Sequence, residues 1–274
     1  MLRLERFDDV TRIELWTRLS RALGFTVSAY VVRDVLIDTG SPRAARDLFR
    51  VLDAMAAAGR PIRGVIVTHQ HEDHAGNVEA LARRGVPLWI ADAAREIVGA
   101  PAPLATYRRA TWGSMAPLRT SVAAFDPTPL EPIATPGHSP DHHAVWDPTT
   151  RTLFGGDLFL GVKVRIAHRD EHPRRHAESL RTAAALGPTR LFDAHRGLVN
   201  GPVDAMLAKA AWIDATVDEI ERRAAAGQSR RAIARAVLGR ERAVGVVSRG
   251  RYSHAAFVDA TLRTGVAESA ERFT

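Results

Sequence analysis

Val65-Ile66-Val67-Thr68-His69-Gln70-His71-Glu72-Asp73-His74-Ala75-Gly76 is the stretch on which the reading of this chain turns. Val65, Ile66 and Val67 are β-branched and apolar, the composition of a strand buried on both faces. They run directly into three histidines and Asp73. Apolar residues resume at Val78 and Leu81, with alanines between, as a helix requires. His69 and His71 are two apart, so extended backbone projects both to the same side. Asp73 and His74 follow in the turn, where the chain can fold both side chains back to that cluster. Neutral imidazole nitrogens and a carboxylate are donors for zinc, manganese or iron. A polar strand-to-helix loop that is merely rich in histidine is the alternative, and the spacing of four donors favours metal.

Composition sets the bounds. A chain of 274 residues fits one large domain or a domain with a small appendage. An apolar fraction of 46% with 25% charged residues is ordinary for a soluble protein that buries a substantial core. No apolar run approaches a membrane span, so no membrane partner is expected. The opening Met1-Leu2-Arg3-Leu4-Glu5-Arg6 lacks the apolar core of a signal peptide, and a cytoplasmic location is the expectation. With no cysteine, disulfides, thiolate ligands and thiol catalysis are excluded. The net charge of +7 comes almost wholly from arginine, Lys163 and Lys209 being the only lysines. The arginines are scattered, often beside Glu or Asp, which reads as solvated surface rather than a nucleic-acid site.

Working outward, Phe25–Val32 and Val35–Asp38 read as paired strands turning at Arg33-Asp34. Residues 42–58 form an amphipathic helix through Ala45, Leu48, Leu52 and Met55, closed by Gly59. After the ligand loop a helix should reach about Arg84, followed by a strand at Val86–Ile90 and a helix at Ala93–Val98. Residues 99–121 are broken by Pro101, Pro103, Gly113 and Pro117 and read as a long loop or loose helical insertion that could cover a site. Strands are expected at Val122–Phe125, Glu131–Thr135, Ala144–Trp146, Thr152–Phe154 and Arg190–Asp193, with a helix at Ala177–Leu186. From about Pro202 the pattern turns helical, with Ser229 and Ser253 as N-caps. The segment joining those last helices is too long for a tight helix-turn-helix, so a helical appendage packing on the core or on a second subunit is expected.

Taken alone, three later motifs are ambiguous. His138 in Pro136-Gly137-His138-Ser139-Pro140 has the setting of a surface turn histidine, and Asp157 after Gly155-Gly156 that of a turn or N-cap aspartate. His195 in Asp193-Ala194-His195-Arg196-Gly197 reads equally as structural or ligating. Together with His69-x-His71-x-Asp73-His74, however, they resemble the metallo-β-lactamase-fold hydrolases in the right order over about residues 25 to 200.

That resemblance implies an α/β architecture, an αββα four-layer sandwich with a C-terminal helical appendage: a catalytic domain over 1–202 and a helical region over 203–274. It implies that His69, His71 and His138 hold one metal and Asp73, His74 and His195 a second, with Asp157 bridging. The cofactors would be two divalent ions, zinc first, with iron or manganese as alternatives. Such a pair, about 3.5–4 Å apart, brings a shared water towards deprotonation at neutral pH. A bridging hydroxide would then attack an ester, thioester, lactone or phosphodiester, with Asp73 orienting it as a catalytic residue. Asp38 is expected to orient a ligand imidazole rather than bind metal. The bridging Asp157 points to the glyoxalase-II and lactonase-like branches rather than to the lactamases proper. Asp193-Ala194 before His195 departs from the proline-glycine common in relatives and bears on loop shape and substrate. Tyr107, Arg108, His142, Lys163 and Arg165 are the substrate-side candidates. His143 reads as a strand-edge residue, and His168, His172 and His176 as solvated or local hydrogen-bonders. The partner expected is a small molecule, with a homodimer allowed. Two alternatives use the same fold: a mononuclear-iron persulfide dioxygenase, and an RNA or DNA phosphodiesterase.

Overall fold

The structure is a computed structural model that describes residues 1–271, with side chains as far as Thr264. It contains two compact units. The first is Met1–Ala134, Asp141–Asp157 and Pro188–Asn200; the second is Thr135–Pro140, Leu158–Gly187 and the chain from Gly201 onward.

Thirteen strands are numbered in chain order: β1 (Leu2–Phe7), β2 (Val10–Leu15), β3 (Val27–Val32), β4 (Val35–Ile37), β5 (Gly64–Ile66), β6 (Leu88–Trp89), β7 (Glu131–Ala134), β8 (His143–Asp147), β9 (Thr152–Gly156), β10 (Ala167–His168), β11 (Arg190–Asp193), β12 (Gly197–Val199) and β13 (Tyr252–Ser253). In the first unit, β1 to β6 form one sheet in sequence order and β12-β11-β9-β8-β7 form another. The first sheet is antiparallel through β4 and parallel across β4-β5-β6; in the second, β9 and β11 run parallel.

The pleat sorts the apolar residues to two faces. Val27, Ala29, Val31, Leu36, Val65 and Val67 join one core cluster, while Tyr30, Val32, Val35, Ile37 and Ile66 join another. The first cluster is completed by helices: α2 (Ala45–Ala57) through Leu48, Val51, Leu52 and Met55, α3 (Val78–Ala82) through Val78 and Leu81, and α4 (Asp92–Gly99) through Ala94 and Val98. The second cluster is completed by Val145, Phe154 and Phe192 from the other sheet. Strands β3, β4 and β5 are thus buried on both faces, as the β-branched run at Val65 requires. Tyr30 clasps the two sheets, with rings 5.5 Å from Phe154 and 5.3 Å from Phe192, its hydroxyl donating to Asp193 O at 2.7 Å. That burial pushes the Tyr30 phenol well up, so it remains a donor.

One expectation changes. The Val122–Phe125 strand reduces to a single bridge between Leu88 and Ala124, because β6 is two residues long and offers only one register pair. The expected helix after the histidine-rich loop is α3, capped at Arg83, and the 99–121 insertion carries a short helix, α5 (Thr106–Thr111), one of the two forms expected of it; α1 (Arg18–Ala22) lies earlier in the chain.

The second unit is mainly helical: α6 (Pro173–Ala185), α7 (Pro202–Ala225), α8 (Arg230–Val237), α9 (Ala243–Val247) and α10 (His254–Glu271), with β10 and β13 paired as a short ribbon. Ile220, Ile233, Leu238, Phe257 and Val258 form its core. Ser229 caps α8 by accepting from Ala232 N, and Ser253 caps α10 by accepting from Ala256 N at 3.0 Å. Among the described residues no helix is long and apolar enough to cross a membrane.

Candidate metal centre

The ligand loop leaves the sheet where β5 ends, beside the end of its parallel neighbour β4, so the residues after both strands meet. Asp38, directly after β4, accepts from Thr68 N at 2.8 Å and from the Thr68 hydroxyl. Its φ of +61° is a left-handed conformation that aspartate tolerates better than most residues. Thr39 donates to His74 O through both its N–H and its hydroxyl, each at 2.7 Å. Asn77 N donates in turn to Thr39 Oγ1 at 3.0 Å. Gly76 lets these strands of backbone touch: a methyl there would stand 2.3 Å from Glu72 O and 2.6 Å from Gly40 O. The loop is therefore clamped by backbone before any ligand is considered.

Within this frame the donor atoms of the first unit converge. His69 Nε2 and His71 Nδ1 are 3.0 Å apart, and donor atoms of His69, His71 and Asp157 lie within 4.8 Å of one another. Asp73, His74 and His195 form a second such trio. Asp157 meets that trio too: its Oδ1 is 3.2 Å from His74 Nε2 and 3.2 Å from His195 Nε2. His69 and His74 are wholly buried.

Asp157 and His195 arrive from neighbouring parallel strands of the second sheet. Asp157 follows β9, where Gly156 (φ +51°) permits close approach; a methyl there would lie 2.9 Å from both His142 Nε2 and Thr68 Oγ1. Asp157 N donates to His142 Nε2 at 3.1 Å. His195 follows β11, and Asp193 Oδ1 accepts from His195 N and Arg196 N, both at 2.8 Å, forming the turn that aims the ring.

The hydrogen bonds on the far side of each ring fix its tautomer. His74 Nδ1 lies 2.8 Å from Asp38 Oδ2, and His195 Nδ1 faces the carbonyl of Thr26. Both partners only accept, so each Nδ1 carries a proton and each Nε2 faces Asp157. His74 Nε2 is buried, 3.2 Å from Asp157 Oδ1. Lone pair against carboxylate at 3.2 Å is repulsive unless something positive lies there. In the metal-free chain protons answer the demand: burial opposes charging His74, but Asp157, Asp38 and Asp73 outweigh it and raise its pKa well above the usual range. Burial likewise opposes charging His195, and Asp157 and Asp73 overcome it, lifting the pKa to about 9. Asp157, despite burial, is held well below the usual carboxylate range by His74 and His195. His69 differs: burial and the neighbouring His74 and His71 hold it neutral, with a pKa well below the imidazole norm. Nitrogen and carboxylate oxygen donors whose lone pairs converge on a site that favours positive charge fit divalent metal.

The remaining candidates are placed as follows. His138 is in the second unit, buried, with Nδ1 3.8 Å from Glu171 Oε1. Gly137 before it has φ +140° and passes so close to His176 that a methyl would come within 2.4 Å of its backbone. His142 is buried, its ring 5.0 Å from that of His69. His143 lies edge-on to Trp89 at a strand end. Tyr107 and Arg108 are on α5, and Lys163 and Arg165 are exposed in the second unit. His168 stacks on Tyr252, His172 caps α6, and His176 is buried with Nε2 2.7 Å from Leu158 O.

Two residues escaped the sequence reading. Glu72, between the ligands, takes Arg108 in a fork at 2.7 and 2.6 Å, tying α5 to the ligand loop. Burial raises the Glu72 pKa while Arg108 pulls it down, and the Arg108 guanidinium stays charged. In the second unit, Lys209 is buried on α7, donating to Leu158 O at 2.9 Å and to Phe159 O. The signal for Lys209 is a lysine on the apolar stripe of a helix in a chain whose only other lysine is Lys163. Glu72 gives no such signal.

The family model described as "Metallo-beta-lactamase superfamily" matches residues 22–195. Among curated proteins, the chain is 25% identical to a beta-lactamase-like protein 2 homolog of Caenorhabditis elegans, over 63% of this chain and 55% of that protein. It is 31% identical to the probable metallo-hydrolase YybB of Bacillus subtilis (strain 168), over 50% of this chain and 60% of that protein. The chain thus spans little more than half the length of these curated relatives. A solved metallo-beta-lactamase family protein from Thermus thermophilus superposes with a TM-score of 0.68 at 16% identity, covering 96% of this chain and 95% of that one, a likeness of fold.

Proposed function

The chain belongs to the metallo-beta-lactamase superfamily, and from that premise we propose that it is a metal-dependent hydrolase acting on a small ester, thioester, lactone or phosphodiester. In this proposal His69, His71 and His138 hold one divalent ion, Asp73, His74 and His195 a second, and Asp157 is shared. Zinc suits the nitrogen-rich donor set, with iron or manganese as alternatives. Metal in such a site acidifies water and polarises the substrate oxygen. The observation that supports the reading is the convergence of His74 Nε2 and His195 Nε2, each 3.2 Å from one oxygen of Asp157.

The chain's own residues do the positioning. Asp38 fixes the tautomer of His74, and Thr26 O that of His195. His142, accepting from Asp157 N, holds the backbone from which the shared carboxylate projects. Asp73 Oδ2 lies 3.9 Å from His74 Nε2 and 3.7 Å from His195 Nε2, within reach to orient a nucleophilic water and receive its proton.

The test combines metal quantification of the purified protein with a panel of chromogenic esters, thioesters, lactones and phosphodiesters. Two divalent ions per chain and turnover of one class are expected. Metal-replete protein that turns over none of them, while consuming oxygen with a persulfide, would overturn hydrolysis.

A further inference from the structure

The net charge of the chain is concentrated in one segment of the second unit. Residues 230–251 carry seven arginines against one acid, Glu241, a net +6, whereas the rest of the chain sums to +1. Arginine scattered beside acids, as the sequence suggests, describes the rest of the chain and fails here. Among the described residues only Arg230 of the seven reaches a carboxylate, Asp259 Oδ1 at 2.9 Å. Glu241 is engaged by main-chain N–H groups instead, accepting from His254 N at 3.1 Å at the start of α10 and from Arg242 N at 3.0 Å.

Within that segment lies α9, Ala243-Val244-Gly245-Val246-Val247, a helix with no polar side chain. Only Gly245 of the five is buried, so none of its apolar side chains is. Val246 is 71% exposed and Val247 52%, more than any other large apolar side chain among the described residues. Valine is a weak helix former, and α9 is closed by its own turn: Gly250 N donates to Gly245 O at 2.8 Å and Arg249 N to Val246 O at 3.0 Å. Exposed Arg240 and Arg242 precede the helix, and exposed Arg249 and Arg251 follow it. Five residues of helix span only about 7.5 Å, so all four guanidinium groups can reach the surface that the valines present.

Exposed valines among unpaired cations match an anionic headgroup layer over acyl chains. A polynucleotide would satisfy the arginines and leave the valines in water, and no aromatic residue in 230–251 offers a base a stacking face. A second copy meeting through the same surface would bring the arginines of both copies together. We propose that α9 is a wedge that docks the second unit onto an anionic lipid surface, Val246 and Val247 entering the interface while Arg240, Arg242, Arg249 and Arg251 hold the headgroups. Such a contact is interfacial and needs no spanning helix.

The full chain is mixed at about 0.1 M salt with vesicles of phosphatidylcholine, alone or with about one third phosphatidylglycerol, and bound protein is read by flotation. Binding to the anionic vesicles only, weakening as salt rises, is expected. Each arginine at such a surface is worth about fivefold in affinity, so Arg242→Gln with Arg249→Gln should bind about 25-fold more weakly. Arg181→Gln with Arg222→Gln removes the same charge from arginines paired with Asp214 and Glu219, and should change binding by no more than about threefold. Val246→Ser with Val247→Ser keeps every charge and should weaken binding at least about tenfold. Val247→Trp should gain a blue shift in emission on anionic vesicles that the parent lacks. No flotation with anionic vesicles overturns the proposal, as does binding that the serine pair leaves unchanged or that both arginine pairs weaken equally. Retention of single-stranded RNA without vesicle binding also overturns it and assigns the arginines to a polynucleotide.

Discussion

Asp38 and His74 are 36 residues apart in the chain, yet a carboxylate oxygen of one lies 2.8 Å from Nδ1 of the other, both side chains almost fully buried. That contact decides which nitrogen of His74 faces Asp157. Asp38→Asn is expected to keep the left-handed backbone and the bond from Thr68 N, because asparagine tolerates both. Its amide N–H would face Nδ1, favouring the opposite tautomer and placing a proton on Nε2. Affinity for the second ion should fall about 10–100-fold, measured by competition with a chromogenic chelator. Unchanged affinity would refute the tautomer argument.

Asp157→Ala removes the carboxylate that both Nε2 atoms face, and no neighbouring acid replaces it. Metal content should fall from two ions to one or fewer, with loss of most activity. Mass-spectrometric metal analysis after gel filtration decides the matter; two tightly held ions in this variant would refute the shared-ligand assignment.

Metal-free protein should have a distinct pH profile of stability. His195 has a folded pKa of about 9, above its unfolded value of roughly 6.5. A raised pKa contributes stability that is fully present below the unfolded value and is lost as pH rises through the folded one. Urea unfolding in chelator should therefore show declining stability between about pH 6.5 and 9. Asp157→Asn should flatten this slope, since the charge that raises the His195 pKa is gone. In the same window, metal uptake at about pH 7 should release protons, seen as a buffer-dependent heat in calorimetry.

Glu72 and Arg108 are a buried forked pair joining the insertion to the ligand loop. Arg108→Met leaves the Glu72 carboxylate uncompensated and should destabilise the fold by about 3 kcal/mol. Glu72→Leu with Arg108→Met should restore most of that loss, because the desolvation of both charges is removed together. Chemical denaturation of the two variants and the parent measures the coupling.

Gly76→Ala should destabilise by about 1–3 kcal/mol through overpacking against Glu72 O and Gly40 O. Both contacts are backbone, which cannot swing aside as a side chain could. Reduced metal retention should accompany the lower melting temperature.

The clustering of donor side chains after β5 was legible in the sequence because it is local. His69, His71, Asp73 and His74 lie within one turn of chain, and strand geometry alone brings the first two to one side. The long strands and helices were legible for the same reason, their apolar spacing being set by backbone period. The strand expected at Val122–Phe125 is only a single bridge from Ala124 to Leu88, because strand pairing depends on a neighbour that a single segment cannot reveal. Glu72 was hidden between two ligands, and its partner Arg108 lay in a proline-broken insertion with no periodic signal. The tautomers of His74 and His195 and the clamp by Thr39 depend on residues distant in sequence. Those features were decided only when two sheets and their loops packed together, since a hydrogen bond such as the 2.8 Å contact of Asp38 with His74 requires a fixed approach that sequence spacing does not encode.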